Sequence, residues 1–424
     1  MSHNGKEILI FGAGPAGLSS ADQLAGRGHN VTLVHPLATT GPRSIYTTYS
    51  SEQELIVPLT PGRIRPLPLI RVITQNGTDF RVNTGSQPYY LVNNKVFLSE
   101  CEERLSQIPN ITIEALPKRV LSQALITDSL KGSQVTIDGN KKVYDVVLDC
   151  TGVGAEVVSK VDPRRKEEVW LGEYVYGGSF KGTVEKPEMI LVIGPAGGTS
   201  WVCPNIHPGF VDVVYSAWGP YKDFKPRFLP TAKDRLSRLL DFIQNFPGIE
   251  IESRLPDDIY AGVIRSQPAS APLVNSVFCL GESAGMAKPG SGDSWRYAFK
   301  AGRMVAELID KGGDARKFHE IWTTSWNHGF FYAGVLARMP YQRKGELGGT
   351  FDCFGKWLED ADPNLVKQIE EWLIGNKPPL SLLIRTLIEP RTRRSLLEAV
   401  KKKLEISFLG VPAKDLEWSL PEVS

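Results

Sequence analysis

Cysteine is sparse in this chain of 424 residues. The five, Cys101, Cys150, Cys203, Cys279 and Cys353, are odd in number and show no CxxC spacing. That excludes a disulfide framework and a zinc ribbon as the organising device, and fits a reducing compartment. The six histidines, His3, His29, His35, His207, His319 and His328, form neither HxxxH nor HExxH, so no histidine-based metal centre is expected. No apolar run approaches the roughly 18 residues of a membrane-spanning helix. The first residues, MSHNGKE, lead into a strand without a signal-type apolar region, so the expected location is the cytoplasm. Neither sign of charge is in surplus: 49 Lys and Arg face 47 Asp and Glu, a net charge of +2, which argues against a chain built mainly to bind nucleic acid. Internal repeats are absent, and no serine stands in a GxSxG elbow, so a hydrolase triad has no support.

What is present is an ordinary globular composition, 42% hydrophobic, over a length that accommodates two or three domains. The most informative stretch is KEILIFGAGPAGLSSADQLAGRGHNVTLVHP, Lys6 to Pro36. Ile8 to Phe11 read as a strand, Leu18, Ala21, Leu24 and Ala25 recur at helical spacing, Gly28 and Asn30 end that helix, and Val31 to Val34 make a second strand. In this βαβ unit Gly12, Gly14 and Gly17 hold the GxGxxG positions. The first serves the tight turn, the second the approach of backbone to a pyrophosphate, and the third the packing of helix on sheet. The helix N-terminus offers unpaired amide donors and a partial positive charge to that phosphate. At the end of the second strand, where a ribose-binding carboxylate is expected, stand His35 and Pro36. An imidazole still hydrogen-bonds a hydroxyl. Arg43, in the loop that follows, is either a phosphate ligand or a solvated arginine.

Further along, Glu52 to Pro88 reads as an excursion into a second domain, and Tyr89 to Leu105 returns as strand, turn and helix, with Val96, Phe97, Cys101 and Leu105 as its apolar positions. A strand at Ile111 to Ala115 is broken by Pro117, and Val120 just after it is counted among the cofactor contacts. Gln134 to Ile137 and Val143 to Leu148 read as a hairpin around Asp138, Gly139 and Asn140, its second arm running into Asp149, Cys150, Thr151 and Gly152. Glu167 to Gln267 reads mostly as strands, with one helix marked by Leu236, Leu239, Leu240 and Ile243. Gly194 to Gly198 mimics a nucleotide turn. The following Thr199 to Pro208 contains Pro204 and Pro208 and cannot be a helix, so no second Rossmann domain for a nicotinamide cofactor is expected.

Val277 to Leu280 form a buried strand that runs into Gly281 and Glu282. A helix then begins near Gly292, with Tyr297, Ala298, Ala301, Val305 and Leu308 on one face. Its loop and N-terminus suit a flavin ring that gains negative charge on reduction. Beyond Asp310 the chain reads as helices with aromatic patches such as Trp322, Trp326 and Phe330. Ser381 to Lys403 mixes apolar residues with Arg385, Arg391, Arg393, Arg394 and Lys401 to Lys403. The two readings are a helix pair with a solvated basic face and a peripheral contact with a membrane or prenyl lipid.

With both ends in view, the sequence resembles the FAD-dependent oxidoreductases of the p-hydroxybenzoate hydroxylase fold, and among them the geranylgeranyl reductases. The resemblance rests on GAGPAG (Gly12, Ala13, Gly14, Pro15, Ala16, Gly17), on Cys150, Thr151 and Gly152 at a strand end, on Gly281, Glu282, Ser283, Ala284 and Gly285 followed by Pro289, Gly290, Ser291 and Gly292, and on the helix WRYAFKAGRMVAE. It implies an α/β fold: a Rossmann-like FAD-binding domain with an inserted, mainly β substrate domain and a C-terminal helical region. The boundaries it suggests are 1–65, 89–160 and 270–310 for the first, 66–88 and 161–269 for the second, and 311–424 for the third. Asn94 stands where the family carries an arginine, and Glu282 where it carries an aspartate for the ribitol. The family's hydrophobic-substrate motif survives only as Trp201 and Pro204, with Thr199 and Cys203 in its aromatic positions. No catalytic residue is assigned; Trp201, Cys203 and Pro204 are the pocket candidates.

The function implied is saturation of C=C bonds in a polyprenyl lipid by hydride from reduced flavin, with an external electron donor: a reductase, a ferredoxin or a nicotinamide cofactor. The alternatives are a flavin-dependent monooxygenase or halogenase served by a separate reductase, and a flavoprotein that has lost turnover.

Overall fold

The computed structural model describes residues 5–37, 44–48, 64–83, 89–129, 132–167, 170–253, 256, 258–265, 267, 273–274, 277–287 and 294–311, with isolated positions between 335 and 401. Arg43, Gly290, Ser291, Gly292 and the aromatic patches after Asp310 lie outside them.

The chain opens with β1 (Glu7–Phe11), α1 (Pro15–Ala25) and β2 (Asn30–Pro36). Helix α1 stops sooner than the glycine at 28 suggests: Gly26 is its C-cap, and Gly28, at φ +85°, belongs to the turn into β2. Strands β3 (Ser44–Thr48) and β4 (Ile64–Leu67) flank β7 (Tyr89–Asn93) in a small antiparallel sheet, while β5 (Leu69–Thr74) and β6 (Asp79–Asn83) leave it for another. Helix α2 (Asn94–Ser106) follows β7 with no intervening turn, because Asn93 caps it by accepting a hydrogen bond from Val96 N at 3.3 Å. Phe97, Cys101 and Leu105 are buried as expected. Val96 faces outward in the first turn.

After β8 (Ile111–Leu116), α3 (Lys118–Ser122) and β9 (Leu125–Ser129) come β10 (Gly132–Ile137) and β11 (Asn140–Tyr144), a hairpin closed by Asp138 and Gly139 at positive φ. Its second arm is shorter than the sequence suggests. The chain breaks at Asp145, and β12 (Val146–Asp149) joins the central sheet beside β1. Two short helices, α4 (Val158–Val161) and α5 (Arg164–Glu167), lead to the long β13 (Leu171–Val184) and then to β14 (Glu188–Ile193), β15 (Thr199–Pro204) and β16 (Phe210–Pro220). The Gly194 to Gly198 turn joins β14 to β15 within this sheet, as its prolines require. Helix α6 (Leu229–Ile243), β17 (Ile249–Ile251), β18 (Asp258–Arg265), β19 (Leu273–Val274), β20 (Val277–Cys279) and α7 (Trp295–Lys311) complete the described strands and α-helices.

Two large sheets result. The first runs β19-β20-β12-β1-β2-β8, parallel except for the edge strand β19. Its β1 is buried from Ile8 to Phe11, the continuous apolar run expected of a strand covered on both faces. The second runs β17-β13-β16-β15-β14-β5-β6, with β18 pairing β13. Its outer face is covered by α6, whose Leu236, Leu239, Leu240 and Ile243 pack with Tyr215 and Val202; burying each such aliphatic side chain contributes about 1.5–3 kcal/mol. Arg71 of β5, fully buried and bidentate on Asp79 (2.8 and 2.6 Å), ties β5 to β6, and Arg81 of β6 on Glu188 of β14 at 2.8 Å ties the pair to the rest of the sheet.

Candidate cofactor and substrate site

The first glycine turn is built by contact. Gly12 takes φ +104° and donates to Val34 O at 2.8 Å, tying β1 to β2 where both strands end. A Cβ on Gly17 would overlap Gly12 O, so only glycine lets α1 start this close to the strand. Gly14 differs: a Cβ there would meet nothing within 4 Å. It is the N-cap of α1, no side chain caps that helix, and Pro15 follows in its first turn. Ala13 and Ala16 are buried beside it. The helix therefore presents uncapped amides to an open face, the geometry that accepts a phosphate.

The second turn lies against the first. Gly281, at φ +67°, sits where a Cβ would be 3.0 Å from Ala16 Cβ. Beneath them, Asp149 at the end of β12 is fully buried and accepts from Thr151 N (3.0 Å), Thr151 Oγ1 (2.6 Å), Val157 N (3.0 Å) and Val158 N (2.8 Å). Burial pushes this carboxyl above the usual range while those four donors pull the other way. Its carbonyl accepts from Ser283 Oγ at 2.5 Å and Leu280 N at 3.0 Å, so the Thr151–Gly152 turn and the Gly281–Glu282 turn share one anchor. Glu282 is half-buried; loss of water pushes its carboxyl up, offset in part by a hydrogen bond from Ser294 just ahead of α7. Strand β18 packs against both turns, bringing the second sheet to the cradle.

The remaining expected positions scatter. His35 is buried and turned to its neighbours: Nδ1 lies 2.9 Å from Pro36 O and Nε2 3.1 Å from Glu102 Oε1. Asn94 opens α2, half-buried, and Val120 lies in α3. On β15, Val202 packs under α6, so strand alternation turns Thr199, Trp201 and Cys203 to the opposite face.

That face also carries residues that sequence reasoning missed. Thr199 Oγ1 and Ser216 Oγ are 2.8 Å apart, and Ser216 Oγ donates to Glu173 Oε1 at 3.1 Å, a buried polar line across three strands. Glu173 is fully buried, and desolvation lifts its carboxyl to about 7. Nothing in the local sequence marks it, since it reads as one more residue of a strand. Asp149 was legible as the residue before Cys150, although its anchoring role was not. Among the described residues no cluster of His, Cys, Asp and Glu suits a metal ion.

A fold with a parallel nucleotide sheet, two glycine turns in contact and a second sheet laid against them is that of the FAD-dependent oxidoreductases of the p-hydroxybenzoate hydroxylase type, a class whose cofactor is FAD. A geranylgeranyl bacteriochlorophyll reductase-like protein of Thermoplasma acidophilum superposes with a TM-score of 0.67 at 13% identity, over 94% of this chain and 99% of its own. A flavin-dependent brominase superposes at 0.61 and 14% identity, over 92% and 100%.

Within that class the sequence similarity runs to the geranylgeranyl reductases. The chain is 25% identical over 340 residues to the digeranylgeranylglycerophospholipid reductase of Methanoculleus marisnigri, covering 74% of this chain and 79% of the relative. It is 22% identical over 266 residues to the geranylgeranyl diphosphate reductase of Synechocystis, covering 60% of this chain and 61% of the relative's length. No protein-family model matches the chain.

Proposed function

We propose that this protein is an FAD-dependent reductase that saturates C=C bonds of a polyprenyl, geranylgeranyl-type lipid. The observation that carries the reading is the contact of Gly281 with Ala16, which joins two turns distant in sequence into one cradle for a dinucleotide. The substrate class rests on the similarity to the two reductases named above.

In this reading Gly12, Ala13, Gly14, Pro15, Ala16 and Gly17 hold the pyrophosphate, and Thr151, Gly152, Gly281 and Glu282 the far side of the cofactor. When bound, the flavin supplies hydride-transfer chemistry, renewed by an external donor of two electrons. The chain's own part is to bind, to exclude water and to hold a proton. Trp201 and Cys203 line the inner face of the second sheet, with Pro204 at the end of the same strand. Glu173 stands behind Ser216 and Thr199 on that face, its carboxyl lifted to about 7 by desolvation, and in this reading it supplies the proton to the alkene carbon that does not take the hydride. Residues 66–88 and 161–269 form the substrate domain in this scheme, and the basic segment around Arg393, Arg394 and Lys401 is the candidate contact with a lipid surface.

The test is an anaerobic incubation of the reduced protein with a geranylgeranyl lipid, read by mass spectrometry. A gain of two hydrogens per saturated bond is expected; an unchanged lipid beside a bound, reducible flavin overturns the polyprenyl reading. The rival is a monooxygenase or halogenase on a hydrophobic substrate, a chemistry the similarly folded brominase carries. It predicts oxygenated or halogenated product in air with a separate reductase.

A further inference from the structure

We propose that Glu102 of α2, held by His35, replaces the missing strand-end carboxylate and binds the hydroxyls of the cofactor's adenosine ribose; this rests on the FAD reading above. In a dinucleotide-binding βαβ unit an acidic side chain at the end of the second strand accepts from the ribose hydroxyls. Here that position is His35, one residue past Val34, whose carbonyl binds Gly12 N at 2.8 Å, so it lies at the rim of the glycine turn. The imidazole cannot do the job itself. Both ring nitrogens face atoms of this chain, Nδ1 lying 2.9 Å from Pro36 O and Nε2 3.1 Å from Glu102 Oε1, so neither side of the ring is open to a sugar.

Glu102 is differently placed. Its side chain is 34% exposed, against 6% for His35. Only one carboxylate oxygen is spent on the ring, and a carboxylate has about four lone-pair sites. The helix that carries it is fixed by Phe97, Cys101 and Leu105 in the core of the nucleotide sheet and packs beside α1. The carboxylate has thus moved from the strand to the neighbouring helix, and the histidine that displaced it orients it.

The test uses the full chain and follows retention of four flavins by fluorescence: FAD, FAD built on 2′-deoxyadenosine, FAD built on 3′-deoxyadenosine, and FMN. Because a hydrogen bond to a charged group is lost with each hydroxyl, wild type is expected to hold FAD about ten-fold or more tighter than at least one deoxy analogue. In Glu102→Ala that discrimination disappears, FAD retention falls to the level of the analogue, and FMN, which lacks the adenosine, is held as in wild type. Glu102→Gln, which keeps the shape of the side chain, falls between. A Glu102→Ala protein that still discriminates, or that loses FMN as much as FAD, overturns the proposal while leaving the FAD reading of the wild type standing. A wild type that retains none of the four overturns the cofactor reading and this proposal together.

Discussion

Ser19 Oγ donates to the main-chain carbonyl of Phe299 at 2.7 Å, so the helix that follows the first glycine turn is bonded directly to the helix that follows the second. The two helices touch this closely because Gly302 faces Ser19 and Ser20 with no side chain of its own. A Cβ at that position would run into the Ser20 amide. Gly302→Ala should force α1 and α7 apart and destabilise the chain by about 1–3 kcal/mol, the usual cost of overpacking. Urea unfolding checks this, and flavin retention should fall with it.

Gly14→Val asks the opposite question. Its backbone, at φ −78°, suits any residue, and the space before it is open. The flavin-free protein should therefore lose no more than about 1 kcal/mol against wild type, the cost of valine at an N-cap that favours glycine. FAD retention should fall by at least about a hundred-fold, because the side chain occupies the ground of a phosphate held by the helix N-terminus.

Glu173 gives stability a pH dependence of defined sign. Its native carboxyl titrates at about 7, while an unfolded glutamate titrates near 4.3. Between those values the native state keeps a proton that the unfolded state has released, so stability falls as pH rises through that window and levels off above it. The full effect is on the order of 3 kcal/mol. Glu173→Gln keeps a partner for Ser216 and removes the charge; chemical unfolding at pH 5 and pH 8 should show it stabilised at the higher pH and little changed at the lower. Equal effects at both pH values would refute the assignment.

The thiols should be silent. Cys101, Cys150, Cys203 and Cys279 are all buried, and burial pushes Cys150 well up and Cys279 to about 12, which leaves almost no thiolate at neutral pH. Native protein treated with N-ethylmaleimide should take at most one adduct per chain, on Cys353, and five after denaturation. Intact-mass spectrometry reads both.

The fold was legible where sequence and local physics agree. The βαβ unit shows itself because a buried parallel strand is a continuous apolar run and its turn needs glycines at fixed spacing. The helical spacing of Leu236, Leu239, Leu240 and Ile243 marks α6 for the same kind of reason. The split of the second hairpin arm at Asp145 was not legible. Val143 to Leu148 alternates well enough for one strand, and only pairing with β1 and the Glu7 N to Asp145 Oδ2 bond at 2.8 Å divides it. Nor could His35 alone disclose Glu102, 67 residues away, since the two meet only after β2 and α2 have packed. Glu173 was invisible because a buried acid in a strand announces itself through its neighbours on β16, not through its own segment.

The order of the central sheet, with β20 beside β12 and β12 beside β1, sets a timetable for synthesis. A nascent chain that has emerged only through Asp149 already has the first glycine turn but lacks the strand that brings Gly281 against it. Its inserted sheet also waits, since β5 and β6 find their partner only when β14 appears about a hundred residues later. Truncation short of Cys279 should thus leave the cradle unable to close although the second sheet, whose last strand ends at Arg265, is complete, and the prosthetic group can be captured only once some two-thirds of the polypeptide has left the ribosome.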